Sequence, residues 1–136
     1  VCCLRPGVAG LSETITVRSI IGRFLEHGRI YVFANGGEFL SDKNIVMISS
    51  ADLMPRNLRR RVECFMRLKN PTIRKQVLHQ IMVALLRDEK NAWYLKSDGR
   101  YVHPQTEENS FSCHEYFMSN PSLSGLGSLA ATPDNV

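Results

Sequence analysis

The strongest pattern along the chain lies between residues 71 and 87. Ile73, Val77, Ile81 and Leu85, with Leu78 and Met82 beside them, recur every three or four positions, which predicts a helix with one apolar face. Pro71 suits its first turn, where a missing N–H costs nothing. Elsewhere the apolar positions alternate or run together, as strands require. Ile15 to Ile21, Arg29 to Phe33 and Ile45 to Ser49 are rich in β-branched residues and read as strands. The third is apolar enough to be expected buried, and Tyr31 and Phe33 are assigned to the core. Arg61 to Met66 is strand-like, and Val1 to Leu4 reads as a short strand. Ala92 to Leu95 and Arg100 to His103 flank Ser97-Asp98-Gly99, the pattern of a hairpin. Arg5 to Glu13 is a loop, Arg23 to Glu26 one helical turn, Asn35-Gly36-Gly37 a turn and Phe39 to Asn44 an enlarged loop. Ser50 to Leu58 is expected to be irregular, with Pro55 breaking any helix. Phe111 to Met118 is expected to form a short helix. Strands punctuated by one long helix predict an α/β layered fold.

Composition adds a scale. The 136 residues, 43% apolar and 22% charged, suit one globular domain and exclude a wholly disordered, collagen-like or disulfide-scaffold chain. No apolar run approaches the roughly 18 residues of a membrane span, and the first residues have no signal-peptide layout. The chain begins with Val rather than Met, so a fragment of a longer protein is expected. From Asn120 onward it is Ser, Gly, Pro and small residues, and 119–136 is expected to be a disordered tail.

Charge is unevenly placed. Residues 105–136 hold Glu107, Glu108, Glu115 and Asp134 and no Lys or Arg, so the body keeps all 17 cations against nine acids, a net +8. A surface of that sign attracts phosphates and other polyanions. Cys2, Cys3, Cys64 and Cys113 show no CxxC or CxxH spacing, so no zinc site is expected; free, buried thiols in a reducing compartment are.

Two stretches could carry chemistry. His27, in Glu26-His27-Gly28-Arg29, stands at the mouth of a strand beside cations, where an imidazole can meet a phosphate and move a proton near neutral pH. His79, His103 and His114 are expected to be plain surface residues. Ser49 to Glu63 places small polar residues at a strand end, then a turn, then Arg56, Arg59, Arg60 and Arg61. Hydroxyls and backbone N–H groups at such a turn can cradle an anion, and arginine adds bidentate phosphate recognition. If 59–63 is extended, Arg59 and Arg61 share a face and Arg60 takes the other. Gly36-Gly37 is no phosphate loop, since no GK[ST] follows.

Taken together, the two stretches resemble the phospholipase D-like superfamily pattern, His-x-Lys followed by Gly-Ser-x-Asn-x₃-Arg-Ser-x₃-Asn-x-Glu. Ser50, Asp52, Arg56 and Glu63 fall at the matching spacing; Arg29 replaces the Lys, Asn57 the second Ser and Arg61 the second Asn. One such motif is half of the paired site that superfamily members use. Closer still, Cys2 to Gly7, Val17 to His27, Asn35 to Glu38, Ser49 to Asn57 and Arg60 to Glu63 resemble the last domain of bacterial polyphosphate kinase, and Glu115 to Met118 fits its end more loosely. The resemblance covers residues 1–118. It departs from the family at Leu53, usually Trp, at Arg59, often Asp, at Gly28, at the enlarged loop and at Cys64-Phe65-Met66.

The resemblance implies an α/β, phospholipase D-like domain with a mixed β-sheet flanked by helices. It implies an enzyme that reversibly transfers the terminal phosphate of ATP to inorganic polyphosphate with Mg²⁺. The phosphorylated histidine of that family lies in an upstream domain. His27 then matches the proposed general acid/base and contacts the nucleotide phosphates, Arg61 and Arg56 bind phosphate, and Arg29, Ser50, Asp52 and Glu63 support them; no metal ligand is assigned. The implied partners are ATP or ADP, polyphosphate, the upstream domains and further copies of the full-length enzyme, with no specific nucleic acid. The implied location is the cytoplasm or the membrane surface, and the isolated fragment is expected to be inactive. Two rival readings are a phospholipase D-like phosphodiesterase or nuclease half-site and a non-catalytic polyanion-binding module.

Overall fold

The computed structural model describes residues 2–120. They fall into two compact units, the first made of 2–25 with 85–120 and the second of 26–84. Most of the expected tail lies outside the described residues; Ser119, its first residue, closes a helix.

The first unit is built on a three-stranded antiparallel sheet. β1 (Val17–Ile20) pairs with β5 (Ala92–Leu95), and β5 with β6 (Tyr101–Val102), in the order β1-β5-β6. Val17 lies opposite Leu95 and Ile20 opposite Ala92. The hairpin turn forms as expected, with Gly99 at φ +86°, a conformation that glycine adopts without penalty. Helix α4 (Cys113–Ser119) is capped by the Ser112 hydroxyl, which accepts from the Glu115 N–H at 3.3 Å. A fully buried carboxylate, Asp88, ties α4 to the segment before β5. It accepts the Cys113 N–H and the Asn91 N–H, each at 2.7 Å. Burial works to raise the Asp88 pKa, but these bonds outweigh it and the group lies below the usual carboxylate range. Gly22 passes so close to His114 that a Cβ there would lie 2.5 Å from Nδ1 and 2.9 Å from Cε1.

The second unit carries β2 (Ile30–Phe33), β3 (Ile45–Ser49) and β4 (Phe65–Arg67), all antiparallel, in the order β2-β3-β4. Ile30, Val32, Val46 and Ile48 share the inner face, where Val46, Leu68 and Leu78 form a buried cluster joined by Leu40 and Val77. The turn after β2 has Asn35 at φ 52° and Gly36 at φ 73°, closed by the Gly37 N–H on the Ala34 carbonyl at 3.0 Å. Both positive φ values define a type I′ turn.

The α/β class holds, with the strands divided between two sheets in which every described pairing is antiparallel. Other expectations need correction. Pro55 opens a helix rather than breaking one: α1 (Pro55–Arg60) has it at the first helical position, which needs no N–H partner. Arg59 and Arg60 are therefore helical, and the extended two-faced arrangement of 59–63 does not arise. Pairing in β4 begins only at Phe65. Residues 2–4 are irregular, and no helical turn forms at 23–26.

The long helix is present as α2 (Pro71–Gln76), a π-helical segment Val77–Met82 and α3 (Val83–Leu86). Asn70 caps it, accepting from the Thr72 and Ile73 N–H groups. In the π segment the Val83 N–H reaches back five residues to Leu78. The wider turn carries the buried side from Leu78 to Val83 and Ala84; Ile73, in the first turn of α2, is 48% exposed. On the outer sheet face Tyr31 is half-buried against Phe65, and Phe33 is 53% exposed rather than in the core. His114 is buried against Phe24, not on the surface, and His103 is half-buried against Trp93. None of the four cysteines is in a disulfide, but only Cys113 is buried.

Candidate functional site

The residues singled out by spacing all fall in the second unit, around the C-terminal end of β3. That strand ends at Ser49, and its partner β2 begins at Ile30. Antiparallel pairing therefore brings the chain before β2, with His27 and Arg29, beside the chain after β3, with Ser50 and Asp52. The Ser49 N–H donates to the Arg29 carbonyl at 3.0 Å, which fixes this register.

Two carboxylates are pinned there. Asp52 accepts from Arg29 Nε at 2.7 Å, and Arg56 Nη2 lies 3.7 Å from its other oxygen. The Arg29 hydrogen bond, and then the charges of Arg29, His27 and Arg56, hold the Asp52 carboxyl below its ordinary range. Asp52 in turn raises the pKa of the Arg29 guanidinium. Glu63 accepts from the Ser50 hydroxyl at 2.5 Å and from Asn57 Nδ2 at 2.8 Å. Those bonds, helped by the charges of Arg61 and Arg29, hold Glu63 low as well.

The second carboxylate closes a loop. Asn57 sits in α1 and is buried, Ser50 follows β3, and Glu63 precedes β4. The Ser50 hydroxyl also accepts the Cys64 N–H at 3.1 Å, while the Ser49 hydroxyl donates to the Cys64 carbonyl and accepts from the Ala51 N–H, both at 2.9 Å. Tyr31 donates its hydroxyl to the Ala51 carbonyl at 3.1 Å. Residues 49–64 are thus a rigid loop that carries α1 and displays arginines at both ends of it. Arg56 leaves the first turn, Arg59 and Arg60 the last, and Arg61 follows in extended conformation. Cations at a helix C-terminus are favoured by its dipole. His27, Arg56, Arg59, Arg60 and Arg61 are all exposed.

The structure brings every predicted site residue into this one region, and it adds two. Asn57 is the buried tie to Glu63; its match to a serine of the spacing pattern was the available signal. Tyr31 supports the turn, which nothing in a strand-like sequence distinguishes from ordinary packing.

An α/β scaffold that fixes two carboxylates and leaves a histidine and four arginines in solvent has the character of an anion-binding domain. Residues 1–114 match the family model described as "Polyphosphate kinase C-terminal domain 2". The chain belongs to that family. It is 55% identical over 127 residues to a polyphosphate kinase of Erythrobacter litoralis, a match covering 93% of this chain and 18% of that protein. A polyphosphate kinase of Synechocystis is 48% identical over 121 residues, covering 88% of this chain and 16% of that one. The crystal structure of polyphosphate kinase from Porphyromonas gingivalis superimposes with a TM-score of 0.76 at 32% identity, over 89% of this chain and 18% of that one. The chain spans less than a fifth of the length of these relatives.

Proposed function

We propose that this chain is one domain of an enzyme that reversibly transfers the terminal phosphate of ATP to inorganic polyphosphate. The family match over residues 1–114 carries the reading, and the exposed cations around the pinned Asp52 supply a chemical reason for it. Phosphoryl transfer needs positioning and charge neutralisation more than covalent chemistry. Arg61 and Arg56 bind phosphate oxygens, and His27 donates or takes the proton at the transferred group. Arg29, Ser50, Asp52 and Glu63 hold the loop and its arginines in place. The phosphorylated histidine, the nucleotide's remaining contacts and any subunit partners belong to the rest of the longer enzyme.

Among the described residues magnesium does not have a ready ligand set. Asp52 and Glu63 are committed to arginine and to Ser50 and Asn57, and among the described residues no three His, Cys, Asp or Glu side chains converge. The ion would sit on the nucleotide's own phosphates, where it would neutralise charge. No helix among the described residues is long and apolar enough to cross a membrane; a cytoplasmic location is part of the proposal.

The test is polyphosphate synthesis from ATP by the full-length enzyme, wild type against His27→Ala, with circular dichroism to establish the fold. The expected loss is several hundred-fold, within the roughly 10²–10⁴ range of acid–base catalysis. Activity within about threefold of wild type would remove His27 from the chemical step.

A further inference from the structure

The second unit holds another cationic site at the opposite end of its sheet. A cavity of about 250 Å³ is lined by Asn44, Arg67, Leu68, Lys69 and Arg74. Three of its five lining residues are cations and none is acidic. Asn44 precedes β3 and Arg67 ends β4, whereas the His27 cluster lies beyond Ser49 at the other end of β3. The five residue steps from Asn44 to Ser49 separate the two places by about 17 Å at roughly 3.3 Å per step.

The site is built before any ligand arrives. Arg74 is only 20% exposed and is held by Asp42, donating to its carbonyl at 2.8 Å and to its carboxylate at 2.9 Å. Asn44 is fixed by its side-chain nitrogen, which donates to the Ala34 and Glu38 carbonyls and to the Ser41 hydroxyl. Arg67 and Lys69 are exposed and complete the ring of charge. With Asp42 counted, the four charged groups sum to +2. A held guanidinium with two exposed cations around it suits phosphate oxygens.

We propose that Arg67, Lys69 and Arg74 form a second phosphate subsite, which binds a polyphosphate chain several phosphates away from the end that reacts near His27. The inference rests on the function proposed above. A polymer fits better than a small anion because β4 and the segment before it join the two cationic places: Arg61 stands at one end, and Arg67 and Lys69 at the other. Six residue steps run from Arg61 to Arg67, at most about 20 Å if fully extended. A single-stranded nucleic acid is less suited, since base stacking needs aromatic rings and none lines this cavity.

The experiment is equilibrium binding to the full-length enzyme, wild type against Arg67→Gln/Lys69→Gln. The ligands are tripolyphosphate, a polyphosphate of several tens of phosphates and an oligothymidylate of similar length. These two side chains are solvent-exposed, so the fold should survive, and circular dichroism checks it. The expected result is a loss of about tenfold or more for the long polyphosphate, with tripolyphosphate unchanged. The slope of log affinity against log salt should fall by roughly 1–2 units. Unchanged long-chain affinity would overturn this subsite alone, as would an equal loss for tripolyphosphate. A loss confined to the oligothymidylate would overturn it in favour of nucleic acid. If the wild-type enzyme binds no polyphosphate, the proposed function falls and this inference with it.

Discussion

At the scale of single residues, the site depends on which acid each polar group holds. Glu63 is the clearest case, because its pKa lies below the ordinary 4.5 through the Ser50 and Asn57 bonds. A depressed carboxylate stabilises the fold above its unfolded value and loses that contribution as pH falls through the folded one. Glu63→Gln should therefore unfold more easily than wild type at pH 7, and the gap should begin to narrow near pH 4.5 and close only below the lower folded value. Thermal melts between pH 7 and 3 would measure this, and a gap independent of pH would contradict it. Spacing singles out His27, Arg29, Asp52 and Glu63, and the structure places them in one region. Their pairings were not legible there, because Arg29 meets Asp52 only through the register of β2 on β3. Nor was the burial of His114 legible, since one polar residue in a short helix looks the same facing in or out.

Among the elements, period and turn chemistry predicted most of what is there: the strands, the Asn35-Gly36 turn, the 97–99 hairpin and the helix from Pro71. The misses share a cause, which is that a local rule was applied without its position. Proline breaks a helix interior but opens a first turn, so α1 was overlooked. The apolar stripe is predicted at 3.6 residues per turn, whereas the π-helical segment carries the buried side from Leu78 to Val83, five residues on. The approach of the segment after β1 to α4 is more demanding. A Cβ at Gly22 would overlap His114, so Gly22→Ala should cost about 1–3 kcal/mol in urea unfolding, the usual range for overpacking. Adding His114→Ala should remove much of the penalty specific to Gly22. Purely additive effects would show that the two residues do not press on each other.

For the whole molecule, the sequence suggested one basic body, and the described residues form two units, each with its own sheet. Every proposed site residue lies in one of them, and the chain accounts for less than a fifth of its relatives' length. The 136-residue chain by itself should therefore synthesise no polyphosphate from ATP; robust synthesis in a purified, folded preparation would refute that division of labour. The outer strand of the second sheet has a consequence of another kind. β4 has no strand partner on its far side among the described residues, and Phe65 and Met66 are exposed on it. Such edges pair with other copies unless something repels them, and charged side chains commonly do so. Arg67 and Lys69 are therefore gatekeepers of colloidal behaviour as well as ligands for an anion. A polymer that neutralises them cancels the repulsion along this edge, so turbidity near charge balance would involve β4 pairing with other copies.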